Sequence, residues 1–142
     1  MNFDIPILIL ARAGSKRIKN KNLSKINGKS IVCLAVEKSL KITSNVYVSS
    51  DSEEILNTCK ILGAKTIKRP AEISGDHASS ISGVVHFFQE SGHNTVCLLQ
   101  ATCPLIKTEH IKSGISKYIE GDFDSVVSGT KEKIYVWDEN KR

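Results

Sequence analysis

An apolar run, Ile5 to Leu10, breaks abruptly into a loop of small residues and cations, and no other stretch constrains the fold as much. The run is rich in β-branched residues and apolar at successive positions. Both faces of a strand there would be apolar, as in a strand buried inside a parallel sheet. In open α/β sheets the crevice beyond the carboxyl end of such a strand is where ligands bind. The loop at that end carries Arg12, Lys16, Arg17, Lys19, Lys21 and Lys25, and no Asp or Glu occurs between Asp4 and Glu37. Unopposed cations suit an anionic ligand, most simply a polyphosphate. Gly14 lets the backbone come close, Ser15 can donate a hydrogen bond, and Lys16 brings a point charge. The loop is neither the Walker pattern nor the dinucleotide G-x-G-x-x-G. Read alone, it leaves open a solvated basic loop or a nucleic-acid patch.

The chain of 142 residues is long enough for one domain with a real core and too short for two comfortable ones. Its net charge of +5 comes largely from the first loop, which favours a local anion site over a general polycationic surface. Cys33, Cys59, Cys97 and Cys103 show no C-x-x-C pairing and no histidines at zinc spacing, so they read as reduced packing residues. No signal peptide precedes Asp4, and no apolar stretch approaches the roughly 20 residues a membrane helix needs. The expectation is a cytoplasmic protein with no membrane partner.

After the loop, Ile31 to Leu40 reads as a helix with Ile31, Leu34, Ala35 and Leu40 as its apolar stripe. Val46 to Ser50 is a short strand, and Asp51 or Ser52 can cap the helix that carries Ile55, Leu56, Cys59 and Leu62. Gly63 sits where a C-terminal cap belongs, ahead of a strand from Ala64 to Ile67 and an extended turn at Arg69-Pro70. A polar loop, Ser74 to Ile81, feeds a helix expected to bury Ile81, Val84, Val85 and Phe88. Thr95 to Leu99 is another buried strand; Thr108 caps a helix running to Glu120; Ser125 to Ser128 and Ile134 to Trp137 read as further strands. Strands and helices alternate, which predicts one α/β, Rossmann-like domain over 1–142 with a mainly parallel sheet flanked by helices. Its polar loops at Arg12 to Lys25, Asp51, Asp76 to Ser80 and Gln100 to Pro104 can then gather along one edge of the sheet.

Taken in order, these loops resemble a known family. Ala11-Arg-Ala-Gly-Ser-Lys16 with Lys21-Asn22, then Val48-Ser-Ser-Asp51, Arg69-Pro-Ala-Glu72, Asp76-His-Ala-Ser-Ser-Ile81, Leu98-Leu-Gln-Ala-Thr-Cys-Pro-Leu105 and Asp124-Ser-Val-Val-Ser128 follow the series of the CMP-sialic acid synthetases and their legionaminic and pseudaminic relatives. The resemblance implies a fold of the nucleotide-diphospho-sugar transferase type. It implies transfer of CMP from CTP to the anomeric hydroxyl of a nine-carbon keto sugar acid, with release of pyrophosphate and with Mg²⁺. Arg12, Ala13, Gly14, Ser15, Lys16, Lys21 and Asn22 fall on positions that hold the nucleotide, with Arg12 and Lys16 as the catalytic charge stabilisers. Arg69, Ala78 and Ser80 fall on positions that contact the cytosine, and Gln100 on one that faces the sugar. Asp51 and Asp76 are as readily a helix cap and a turn former. His77, His86, His93 and His110 are assigned no chemistry, although His77 stands where the family commonly has Thr.

The chain departs from the family pattern at Ala13, usually Gly, at Arg17-Ile18-Lys19, often Gly-Ile-Pro, and at Ile106, commonly Arg. Family members typically continue further, so the chain is expected to be incomplete at the C-terminus. It would lack a dimerisation segment and metal-binding aspartates, and with them full transferase activity; the metal ligands are unassigned. A homodimer is the family's expected assembly. Two alternatives are a noncatalytic nucleotide-binding fragment and a related nucleotidyltransferase for another sugar acid. An RNA-binding module would need aromatic stacking platforms beside the basic loop; the aromatics are few, Phe87, Phe88 and Tyr118 fall on helices and none flanks that loop, so no nucleic-acid partner is expected.

Overall fold

The computed structural model describes residues 3–14, 18 and 20–132. Four parallel strands form the main sheet: β1 (Ile7–Leu10), β4 (Val46–Ser50), β5 (Lys65–Lys68) and β6 (Cys97–Gln100), in the order β5-β4-β1-β6. Between β1 and β4 lie a small antiparallel hairpin, β2 (Lys25–Ile26) and β3 (Lys29–Ser30), and the helix α1 (Ile31–Leu40). The remaining helices are α2 (Glu53–Ile61), α3 (Ser80–Ser91) and α4 (Thr108–Glu120). This is the α/β, Rossmann-like arrangement that the alternating pattern predicts.

β1 is the central strand, and Ile7, Leu8 and Ile9 are all fully buried, as expected for a strand apolar on both sides. Alternation along the strands splits the core in two. Ile7, Ile9, Val46, Val48 and Leu99 pack with residues of α1, α2 and α4, including Val32, Val36, Ile55, Cys59, Ile111 and Ile115. Leu8, Leu10, Tyr47 and Ile67 face the other way and meet Phe87, Val84 and Phe88 of α3. The chain runs outward from β1 to β4 to β5, then returns through α3 to place β6 on the far side of β1. That reversal is a topological switch point, and the carboxyl ends of β1 and β6 open the crevice there. Gln100 pairs in register with Leu10, so both strands reach this end together.

Four sequence expectations are corrected. In α1 the buried spine is Ile31, Val32, Ala35, Val36 and Ser39, with Leu34 and Leu40 only half-buried. In α3 the buried residues are Gly83 and Phe87, whereas Ile81 is 73% and Val85 48% exposed. The helix turns its glycine toward Leu10, because only there can it come close to the sheet. Ser125 to Ser128 forms no strand; Val127 is 88% exposed, and β-rich sequence without a paired neighbour has nothing to zip onto. At the start of α4, Lys107 rather than Thr108 occupies the cap position and no side chain caps the helix. Ile134 to Trp137 lies outside the described residues. Among the described residues no helix is long and apolar enough to cross a membrane.

Candidate functional site

The loop that leaves β1 is held from two sides. Ala11 N–H donates to the Ser49 carbonyl at 3.0 Å, continuing the ladder one residue past β1. The Ala13 N–H then donates to Asp51 Oδ1 at 2.9 Å, and the Asn22 side-chain amide donates to the Arg12 carbonyl at 2.8 Å. Asn22 is buried within a 3-10 turn, Lys21–Leu23, which Asn20 enters through a left-handed φ of 52°. Asparagine tolerates that conformation better than most residues. Asp51 is therefore a loop anchor, and Ser52 is the cap of α2, accepting from Ile55 N–H.

Arg12 reaches across the site. Its guanidinium lies 3.0 Å from Asp76 Oδ1, with both side chains about one third exposed at 34% and 36%. This pair joins the first loop to the loop before α3, 64 residues away. That second loop is ordered by a 3-10 turn, Ala71–Ile73, by Ser74 Oγ donating to the Pro70 carbonyl, and by Ala78 N–H donating to the Gly75 carbonyl. Ser79, with its Oγ accepting from Ser82 N–H, caps α3, which leaves Ser80 as the first helical residue and exposed.

Arg69 is the buried cation of the site, only 6% exposed. It follows β5 and donates from Nη2 to the Ser49 carbonyl at 3.2 Å. Burial pulls its pKa below the usual arginine value; the charge of Asp51 pushes it back up and that of Arg12 pushes it down. Arg12, Asp51 and Arg69 thus share one electrostatic neighbourhood. Arg69 Nε and Ser49 Oγ, both buried, have no hydrogen-bond partner among the described residues.

Of the residues singled out in the sequence, Arg12, Ala13, Gly14, Lys21 and Asn22 lie on the first loop and its turn. Arg69 borders it through Ser49, and Ala78 is half-buried on the loop joined by Asp76. Gln100 is exposed at the end of β6. Ser15, Lys16, Arg17 and Lys19 are outside the described residues. Sequence reasoning missed Ser49 and Gly83, which flank Arg69, and the anchoring by Asp51. A glycine inside a helix was the available signal for Gly83. A cavity of about 180 Å³ lies between the first loop and the first turn of α2, lined by Arg12, Ala13, Asn20, Asn22, Ser52 and Glu54 among others. It is small for a whole nucleotide and carries the Glu54 carboxylate. Asp51 and Asp76 are both engaged, and among the described residues no three His, Cys, Asp or Glu side chains gather as a metal site. These residues do not by themselves fit a magnesium ion.

All four cysteines are unbridged; Cys59 is buried, Cys33 and Cys97 half-buried, and Cys103 exposed.

A family model described as cytidylyltransferase matches residues 6–138. The N-acylneuraminate cytidylyltransferase A of Danio rerio is 31% identical over 138 residues, which are 95% of this chain and 32% of the relative. The pseudaminic acid cytidylyltransferase of Campylobacter jejuni serotype O:2 is 33% identical over 132 residues, 87% of this chain and 57% of the relative. Among solved structures, CMP:2-keto-3-deoxy-manno-octonic acid synthetase, solved in complex with CTP, superposes with a TM-score of 0.71 at 24% identity. It covers 82% of this chain and 47% of that one. At that identity the likeness speaks to the fold. The chain spans about a third of the length of the fish relatives it matches.

Proposed function

The chain belongs to the cytidylyltransferase family, and from that premise we propose that it supplies the CTP-binding part of an enzyme that transfers CMP to a sialic-acid-like sugar acid. The acceptor is the anomeric hydroxyl of a nine-carbon keto sugar acid. Its oxygen bonds to the α-phosphorus of CTP as the bond to the β-phosphate oxygen breaks and pyrophosphate departs. The observation that carries this reading is the clamped first loop. Asp51 and Asn22 fix its backbone at Ala13 and Arg12, so Arg12 is held just beyond the carboxyl end of β1 before any ligand arrives. Prepositioned charge of this kind stabilises charge that builds on phosphate oxygens in the transition state.

In this reading Arg12 and Lys16 carry the charge stabilisation, and Ala13, Gly14, Ser15, Lys21 and Asn22 shape the phosphate loop. Arg69, Ala78 and Ser80 read the cytosine, and Gln100 meets the sugar with an amide that both donates and accepts. The relatives named for N-acylneuraminate and pseudaminic acid support a sugar acid of this class. Mg²⁺, a homodimer and a cytoplasmic setting belong to the proposal for the whole enzyme, with metal ligands other than the residues described above. The second reading is a noncatalytic nucleotide-binding unit of the same fold.

Calorimetric titration with CTP, UTP, ATP and GTP in the presence of Mg²⁺ tests the proposal on the chain, its Arg12→Ala and its Lys16→Ala variants. The expected result is a preference for CTP that both substitutions weaken. Equal or absent binding of all four nucleotides by the folded chain would sink it. A transfer assay with N-acylneuraminate as acceptor separates the enzyme from the noncatalytic unit.

A further inference from the structure

Arg69 is an unusual arginine: it is 94% buried by difference from its 6% exposure, yet it pairs with no carboxylate among the described residues. A buried cation without a carboxylate is costly unless its donors are satisfied. One donor is accounted for by the Ser49 carbonyl, which also accepts from Ala11 N–H. Nε has no partner among the described residues, and neither has the buried Ser49 Oγ. Ser49 shares a strand face with Tyr47, the face that α3 covers. On that face α3 presents Gly83. An alanine Cβ at Gly83 would stand 3.4 Å from Arg69 Nη1, and 3.0 and 3.2 Å from the two methyl carbons of Leu10. The guanidinium therefore lies in a slot with Ser49 on one side and the bare backbone of Gly83 on the other. A Cβ there would just touch the guanidinium and would crowd the Leu10 methyl carbons, which would have to give way.

We propose that Gly83 is a positioning residue for Arg69: by having no side chain it leaves the slot in which Ser49 holds the guanidinium, with donors to spare for the edge of a pyrimidine base. The inference rests on the cytidylyltransferase reading for the ligand, but not for the slot. Gly83 touches no ligand in this account. It acts by fixing where Arg69 stands, and Leu10 is the second wall that a Cβ would press against.

The test uses the full chain with Gly83→Ala, Arg69→Lys and the double variant, and Gly114→Ala as control. Gly114 is also helical, and nothing lies within 4 Å of where its Cβ would be. Gly83→Ala is expected to weaken CTP binding about tenfold, the scale of one misplaced hydrogen bond to a charged group. In the Arg69→Lys background it should add little, because the group it positions is already gone. Gly114→Ala should leave binding unchanged. An equal loss in both backgrounds, or no loss in a folded Gly83→Ala protein, overturns the proposal. If the unaltered chain does not prefer CTP, it is the functional reading that fails. The slot is then judged on the ligand-free protein by the NMR signal of the Arg69 Nε–H. That signal should shift in Gly83→Ala and stay put in Gly114→Ala; an unmoved signal in Gly83→Ala overturns the slot itself.

Discussion

The carboxylate of Asp51 accepts a hydrogen bond from the Ala13 N–H at 2.9 Å, so the end of β4 holds the loop that leaves β1. A charged acceptor makes a bond of this kind worth about 1.5–3 kcal/mol. Asp51→Ala is expected to lower stability toward urea by about that amount. Asp51→Asn keeps an acceptor oxygen in place and should lose distinctly less. Equal losses for the two would mean that the bond does not anchor the loop.

The Arg12–Asp76 pair, 3.0 Å apart and partly exposed, should matter little for stability. Exposed ion pairs contribute about 0–1 kcal/mol. Its consequence lies in binding, because an anion arriving at Arg12 must compete with Asp76. Asp76→Asn is thus expected to leave the melting temperature nearly unchanged and to tighten pyrophosphate binding several-fold at low salt, with the gain fading as salt screens it. Weaker pyrophosphate binding by Asp76→Asn would show instead that this carboxylate assists the ligand.

The main strands and helices were legible because β1 is an unbroken apolar run and the helical stretches carry apolar residues at roughly helical spacing, whereas the short β2–β3 hairpin was not read. The first loop was legible because its charge is one-sided. What could not be read were relations between distant residues: Asp51 with Ala13 across 38 positions, and Arg12 with Asp76 across 64. Either aspartate could equally have served its own local turn. The face of α3 was misread because Ile81 and Val85 are as apolar as its true inner residues, and the contact point turned out to be Gly83, which carries no hydropathy signal. Ser125 to Ser128 has strand-like composition, but pairing, which makes a strand, is not a local property.

Cys59 has no exposed surface, and burial pushes its thiol from 9.0 up to about 12, with the neighbouring Cys33 adding a smaller push. Such a thiol should resist alkylation in the native protein, whereas the exposed Cys103 should react. The folded pKa is raised, so folding favours the protonated form. Stability from this group is complete below pH 9.0 and is lost as pH rises toward about 12. The stability gap between the chain and Cys59→Ala should therefore narrow across that window. A constant gap would place the thiolate's burial elsewhere.

Asn27 and Gly28 turn the hairpin between β2 and β3 with φ values of 49° and 82°, the two positive angles that a type I′ turn requires. The next strand ends at Ser30, whose Oγ caps α1 by accepting from Cys33 N–H, so the turn also sets where that helix begins. A Cβ at Gly28 would meet open space, which leaves backbone strain as the whole cost of substitution. Gly28→Ala is expected to destabilise by about 1–2 kcal/mol, the penalty of a left-handed residue with a side chain. Gly114→Ala, equally open but in the interior of α4 with no positive φ, should instead stabilise by up to about 1 kcal/mol. Opposite shifts in the two thermal midpoints are the expected result. A shift of the same sign in both would mean that the hairpin does not hold its turn in solution.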